Sequence, residues 1–220
     1  MSEWQDPWSC AAAGLLFDSD GVLVDSDASV VRSWTRWSAH YDLDAAAVLE
    51  VVHGRRAADT VVELLPQRAH AIALERIFTY ELEDAAAVTA LPGARELTSG
   101  LPDGSWAVVT SATAELAAAR LGAAGIAPPS VLVTADDVTA GKPAPDGYAL
   151  AARRLAVPVA DCVVLEDAAS GVAAARAAGV GAVIGIGERA LDTDADVVVP
   201  DLRAVTHDAG TVRVAGRRLR

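Results

Sequence analysis

Lysine is almost missing from this chain of 220 residues: 17 of its 18 basic residues are arginine, and Lys142 alone is lysine. A chain that uses arginine wherever a cation will do marks its single lysine as a place that needs a compact ammonium. Cysteine is nearly as scarce. Cys10 and Cys162 are the only two, too few for a disulfide framework. Cys162 falls in the apolar run Cys162-Val163-Val164-Leu165, so a buried, reduced thiol and a cytoplasmic location are expected. Aromatic residues make up 5% of the chain within a 52% hydrophobic content dominated by alanine, which fits a helix-rich globular protein. There is no run of eighteen uncharged apolar residues, which excludes a helical membrane span. The start carries Glu3 and Asp6 with no basic stretch ahead of an apolar one, so no secretory leader is expected. Positive charge is short overall. The net charge of −12 and pI of about 4.6 disfavour nucleic acid and anionic membrane as partners.

The length suits one substantial core with a modest inserted unit. Apolar strands are expected at Leu15–Phe17, Trp106–Thr110, Val131–Thr134, Cys162–Leu165, Ala182–Ile186 and Val197–Val199. Between the later strands lie helical patterns at Ala94–Ser99, Ala114–Ala124, Gly147–Leu155 and Gly171–Ala178. That alternation argues an α/β fold, a doubly wound, Rossmann-like parallel sheet covered on both faces. Residues 26–91 break the rhythm with helical patterns only (Ser29–His40, Ala45–Val52, Ala57–Leu65, Ala69–Glu83) and no convincing strand. They predict a small inserted α-helical cap domain, leaving 1–25 and 92–220 as the core domain. A terminal hairpin or strand is expected between Asp208 and Arg220.

Chemistry concentrates where the strands end. Asp18-Ser19-Asp20-Gly21 follows the first buried strand, at the edge where an open α/β sheet presents its ligand crevice. Residues two apart in an extended chain face the same way, so both acids converge on one point. Close carboxylates repel unless a cation lies between them, and an all-oxygen ligand set asks for a hard one. Alone, the four residues also read as an ordinary turn before a helix cap. Three later segments bear on the choice. Trp106–Thr110 runs into Ser111-Ala112-Thr113, hydroxyl and amide donors at a helix start that suit a phosphate or merely cap the helix. Gly141-Lys142-Pro143-Ala144-Pro145 sets the single lysine in a rigid loop. Leu165-Glu166-Asp167 ends another strand in paired acids, which read separately as a solvated acid and a helix cap. Acids, hydroxyl, ammonium and acids at successive strand ends are together far more specific than any one alone.

These segments resemble, in order, the four motifs of the haloacid dehalogenase-like (HAD) hydrolases. Phe17-Asp18-Ser19-Asp20-Gly21-Val22-Leu23-Val24-Asp25-Ser26 resembles the first, and the helical insertion after it is similar to the cap of subfamily I. His53-Gly54-Arg55-Arg56, Leu91-Pro92-Gly93-Ala94 and Val133-Thr134-Ala135-Asp136-Asp137-Val138 are similar to the branch acting on sugar phosphates, 2-deoxyglucose 6-phosphate and glycerol phosphate. The resemblance implies a Mg²⁺-dependent phosphatase of small phosphate monoesters. Asp18 would be the nucleophile that forms an aspartyl phosphate, and Asp20 the acid and then the base. Ser111, Ala112 and Lys142 would hold phosphate. Mg²⁺ would sit on Asp18, the Asp20 main-chain carbonyl and Asp167, with Glu166 assisting or orienting. Ser19, Val22 and Ala112 depart from the commonest residues of these motifs, and none removes a catalytic group.

Other readings are weaker. A dehalogenase has no use for an acid at Asp20. A β-phosphoglucomutase-like mutase carries a histidine twelve residues after the nucleophile, where this chain has Val30. A phosphonate hydrolase wants a cap lysine. A non-catalytic phosphate-binding module predicts a lost catalytic group, and all are present. His53, Arg55 and Arg56 are the candidates to meet substrate from the cap, or else a solvated helix start. Trp34 and Trp37, three apart, read as cap core rather than a sugar platform. The expected partner is a small phosphorylated metabolite, and the expected state a monomer.

Overall fold

The computed structural model describes residues 8–215 and 219; Glu3 and Asp6, and the end of the predicted tail hairpin, lie outside them. In chain order the strands are β1 (Trp8–Ala11), β2 (Gly14–Phe17), β3 (Val24–Asp25), β4 (Thr89–Ala90), β5 (Trp106–Val109), β6 (Val131–Val133), β7 (Cys162–Glu166), β8 (Ala182–Ile186), β9 (Val197–Val199), β10 (Val205–Asp208) and β11 (Thr211–Val214). The helices are α1 (Asp27–His40), α2 (Ala45–Val52), α3 (Ala57–Leu64), α4 (His70–Asp84), α5 (Ala94–Ser99), α6 (Ala114–Ala123), α7 (Asp146–Leu155) and α8 (Ala169–Ala178).

Six strands form a wholly parallel sheet in the order β6-β5-β2-β7-β8-β9. Because side chains alternate along a strand, each strand feeds two layers. Leu15, Phe17, Val108, Leu165 and Ile184 face a layer that includes α5, α6 and β10–β11. Leu16, Ala107, Val109, Val164 and Val183 face α7 and α8. Central strands buried on both sides must be apolar throughout; β2, β5, β7 and β8 are buried at every position. The chain moves outward from β2 to β6, then returns to lay β7 on the other side of β2. Strand order reverses there, and the crevice at the carboxyl ends is where such sheets bind ligands.

Helices α1–α4 follow β3 and precede β4, and gather a separate apolar cluster around Trp34, Trp37, Val48, Val61 and Ile77. Trp37 is fully buried and its indole N–H donates to the Ala73 carbonyl at 2.9 Å. It meets Trp34 edge-on at 5.1 Å, so both indoles belong to this core. The segment does contain a strand, contrary to the sequence expectation: Thr89–Ala90 pairs antiparallel with Val24–Asp25. Two residues are too few for an alternation to register. The tail forms the β10–β11 hairpin, which β1 extends into a three-stranded antiparallel sheet.

Candidate active site

A cavity of about 280 Å³ opens between the sheet's carboxyl edge and the helical segment. Asp18, Asp20, Ser111, Ala112 and Asp167 line it from the sheet side, and His53, Arg55 and Arg56 from the α2–α3 turn. Eight of the ten residues singled out in the sequence therefore face one space. Lys142 and Glu166 stand directly behind it.

Asp18 leaves β2 nearly buried, 4% exposed. The chain then turns sharply: Leu23 N–H and Val24 N–H both donate to the Ser19 carbonyl. Gly21, at φ +80°, permits the turn, and a Cβ there would strike the Asp167 carboxylate and the Arg189 guanidinium. Lys142 Nζ donates to Asp18 Oδ1 at 2.6 Å, to Glu166 Oε1 at 2.6 Å and to the Val109 carbonyl at 3.2 Å. Three short contacts converging on a buried cation suit an ammonium and not a planar guanidinium, which accounts for the chain's one lysine. Burial alone would lower its pKa, but Asp18 and Glu166 more than offset that and hold it charged. Burial also pushes the Asp18 carboxyl well above its usual range, opposed by Lys142 and reinforced by Glu166, Asp167 and Asp20.

Glu166, entirely buried, has all its acceptor directions used. Oε1 takes Lys142 and the Tyr148 hydroxyl at 2.8 Å; Oε2 takes the Asp167 and Ala168 N–H groups at 2.9 and 3.1 Å. It is no solvated acid, and these contacts make it the part that fixes Lys142. One carboxylate oxygen from each of Asp18, Glu166 and Asp167 lies within 4.8 Å of the others. Burial, with Glu166 beside it, pushes the Asp167 carboxyl up to about 7 against the pull of Arg189. With Glu166 taken up by its four donors, the buried, crowded oxygens of Asp18 and Asp167 are the ones that fit a hard divalent cation.

The donors that the sequence offers for phosphate are engaged within the protein. Ser111 Oγ donates to the Gly54 carbonyl at 3.0 Å, and Ala112 N–H to Thr110 Oγ1 at 3.1 Å. Arg55 pairs with Glu63 at 2.6 Å. Arg56 holds Asp59 with two 2.8 Å bonds and also donates to the Val138 and Thr139 carbonyls. It thus ties the α3 start to the loop that carries Lys142. His53 is half-buried; burial and then the Arg189 charge lower its pKa.

Three residues at the site were not foreseen. Arg120 of α6, 3% exposed, donates through Nη1 to Asp20 Oδ1 at 2.9 Å and through Nη2 to Glu81 Oε1 at 3.3 Å. Glu81 of α4 lies in the cavity wall. Arg189 reaches Asp167 at 2.6 Å and Asp27 at 2.9 Å. The first two were visible as charges at core spacing: Leu116, Ala117, Arg120, Leu121 on α6, and Ala73, Ile77, Glu81 on α4.

A parallel α/β sheet that gathers acids, an ammonium and helix-start donors at its switch point has the form of an enzyme active site. The chain belongs to the haloacid dehalogenase-like hydrolases, whose family model matches residues 13–179. It is 41% identical over 174 residues to hexitol phosphatase A of Escherichia coli strain K12, covering 76% of this chain and 79% of that one. It is 31% identical over 185 residues to glycerol-1-phosphate phosphohydrolase 2 of Saccharomyces cerevisiae, covering 79% and 74%. Among solved structures, a hydrolase from Pseudomonas syringae superposes with a TM-score of 0.73 at 25% identity, covering 86% and 94%. No helix among the described residues is long and apolar enough to cross a membrane.

Proposed function

We propose that this chain is a Mg²⁺-dependent phosphatase of small sugar or polyol phosphate monoesters that works through an aspartyl phosphate. The observation that carries the reading is the shared cavity: Asp18, Asp20, Ser111 and Asp167 line it while Lys142 bonds Asp18 from behind. The names of the relatives in Escherichia coli and yeast support the substrate class.

An Asp18 carboxylate oxygen attacks phosphorus, a P–O bond to Asp18 forms and the ester P–O bond breaks. Asp20 gives its proton to the departing alkoxide. Asp20, now a carboxylate, takes a proton from water as that water attacks the same phosphorus and frees Asp18. Lys142 and Ser111 hold phosphoryl oxygens, Ser111 exchanging its Gly54 partner for the substrate. Asp18, Asp167 and the Asp20 main-chain carbonyl are the groups that would hold Mg²⁺, with Glu166 fixing Lys142. When bound, the ion supplies charge neutralisation at the phosphoryl oxygens. Residues 26–91 serve as a cap that excludes water and reads the leaving group. Val30, where a mutase-type histidine would stand, is an apolar part of the cavity wall, which favours hydrolysis over phosphoryl return.

The test is phosphate release from a panel of hexitol, hexose, deoxyhexose and glycerol phosphates with Mg²⁺, beside Asp18→Asn. Turnover of one or more esters that vanishes in EDTA and in Asp18→Asn is expected. Conversion of β-glucose 1-phosphate to the 6-phosphate without phosphate release would overturn it.

A further inference from the structure

Resting on that phosphatase reading, we propose that the site selects monoesters with a neutral, hydroxylated leaving group, and that Glu81, held in place by Arg120, makes the selection. A carboxylate in the wall of such a pocket repels any further negative charge that the leaving group brings.

Glu81 comes from the buried stripe of α4 and is 7% exposed. Its guanidinium partner is shared: Arg120 bonds both Glu81 and Asp20, which leaves it nothing to offer an anion on the substrate. Arg120 Nε is itself buried without a partner. Burial raises the Glu81 carboxyl, and Arg120 pulls against it.

The remaining cations of the wall are also committed. Arg55 is paired with Glu63, Arg56 with Asp59, and Arg189 with both Asp27 and Asp167. None of the arginines lining the cavity is left for a second phosphate or a carboxylate on the substrate. What the wall offers instead is apolar surface from Val30, Trp34, Leu74, Phe78 and Leu116, with Glu81 one of the six carboxylates that line the space. A carboxylate only accepts hydrogen bonds. A carbon chain bearing hydroxyl donors satisfies both features; an anionic tail satisfies neither. The cavity, at about 280 Å³, suits a small ligand.

The experiment compares kcat/KM for sorbitol 6-phosphate and glycerol phosphate with that for phosphoglycolate and fructose 1,6-bisphosphate, all with saturating Mg²⁺. Neutral-tailed esters are expected to be favoured by about 100-fold or more, the factor that like-charge rejection supplies. Glu81→Gln is expected to shrink that ratio by about tenfold, with a raised KM for sorbitol 6-phosphate as its hydroxyls lose a charged acceptor. Glu81→Asp keeps the charge but withdraws it, so rejection of anionic tails persists while the sorbitol 6-phosphate KM still rises. Thermal unfolding checks that both variants are folded. Equal hydrolysis of anionic-tailed and neutral-tailed esters by the unaltered enzyme overturns the proposal without any variant. So does a folded Glu81→Gln with the original ratio. Silence toward every ester, p-nitrophenyl phosphate included, sinks the phosphatase reading itself.

Discussion

Glu166→Gln changes no side-chain volume, yet the hydrogen-bond geometry says it is among the most damaging substitutions available to this chain. Four donors converge on the carboxylate: Lys142 Nζ and Tyr148 Oη on one oxygen, and the Asp167 and Ala168 N–H groups on the other. A glutamine must place its NH₂ at one of those two positions. Against the backbone pair it confronts two donors that cannot turn round. Against Lys142 it confronts an ammonium with no acceptor, although the Tyr148 hydroxyl can rotate to accept. Removing one partner of a buried ion pair costs roughly 3–5 kcal/mol. Lys142 keeps Asp18 and the Val109 carbonyl, which places the expected loss near the lower end, at about 3 kcal/mol. In a chain of this size that corresponds to a fall in melting temperature of roughly 6–12 °C. Urea unfolding and thermal scans in EDTA isolate this effect from any metal. Tyr148→Phe, which removes a single donor, is the scale bar, with an expected loss of about 1 kcal/mol. A Glu166→Gln protein that is destabilised by less than about 1 kcal/mol in EDTA, but has lost Mg²⁺ affinity, would show that Glu166 is a metal ligand and not the anchor of Lys142.

Three further outcomes are expected. Gly171→Ala should destabilise by about 2 kcal/mol or more, although alanine is the better helix former, because the new methyl lands on the Glu166 carboxylate; differential scanning calorimetry reads the sign. Asp20→Asn should lower kcat on sorbitol 6-phosphate by roughly 10²–10⁴, whereas p-nitrophenyl phosphate, whose leaving group needs no acid, gives a burst of about one nitrophenolate per site before the slow hydrolysis step; a rapid-quench trace with no burst would refute the assigned order of roles. The metal-free protein should lose stability as pH rises from the ordinary aspartate range toward 7. The folded Asp167 carboxyl titrates at about 7 and the unfolded one near 4, so over that window the folded state holds the extra proton. Mg²⁺ affinity should rise across the same window as the ligand deprotonates, which calorimetric titration at several pH values checks.

The parallel sheet was legible because β2, β5, β7 and β8 are buried on both faces and therefore read as unbroken apolar runs. The acids and hydroxyls at their ends were legible because strand ends are where such folds place chemistry. Lys142 announced itself by rarity. What stayed hidden was either too short or too far apart in sequence. The β3–β4 pair offers only two residues a side. Arg120 and Glu81 are separated by 39 residues, and nothing local ties one to the other. Each was nonetheless an anomaly, a charge on a helix stripe that the core needs, and such positions merit a search for a partner across the fold. Arg55 and Arg56 were expected to meet substrate from the cap or else to form a solvated helix start, and their ion pairs were not foreseen. The acids Glu63 and Asp59, eight and three residues further along, hold both, and local pairing of that kind is readable from charge pattern alone.

The ribbon of β3 and β4 carries a consequence for how such an enzyme changes over evolutionary time. Val24 stands opposite Ala90 and Asp25 opposite Thr89, and partners in antiparallel strands lie about 4.5–5.5 Å apart. The whole helical segment thus departs and returns through one doorway. An insertion whose ends touch can be lengthened, trimmed or exchanged without re-registering any strand beneath it. The ends of β2, β5 and β7 stay where they are while the chamber above them is rebuilt. New leaving groups would then be within reach by replacing a module, with the chemistry proposed for Asp18 inherited intact.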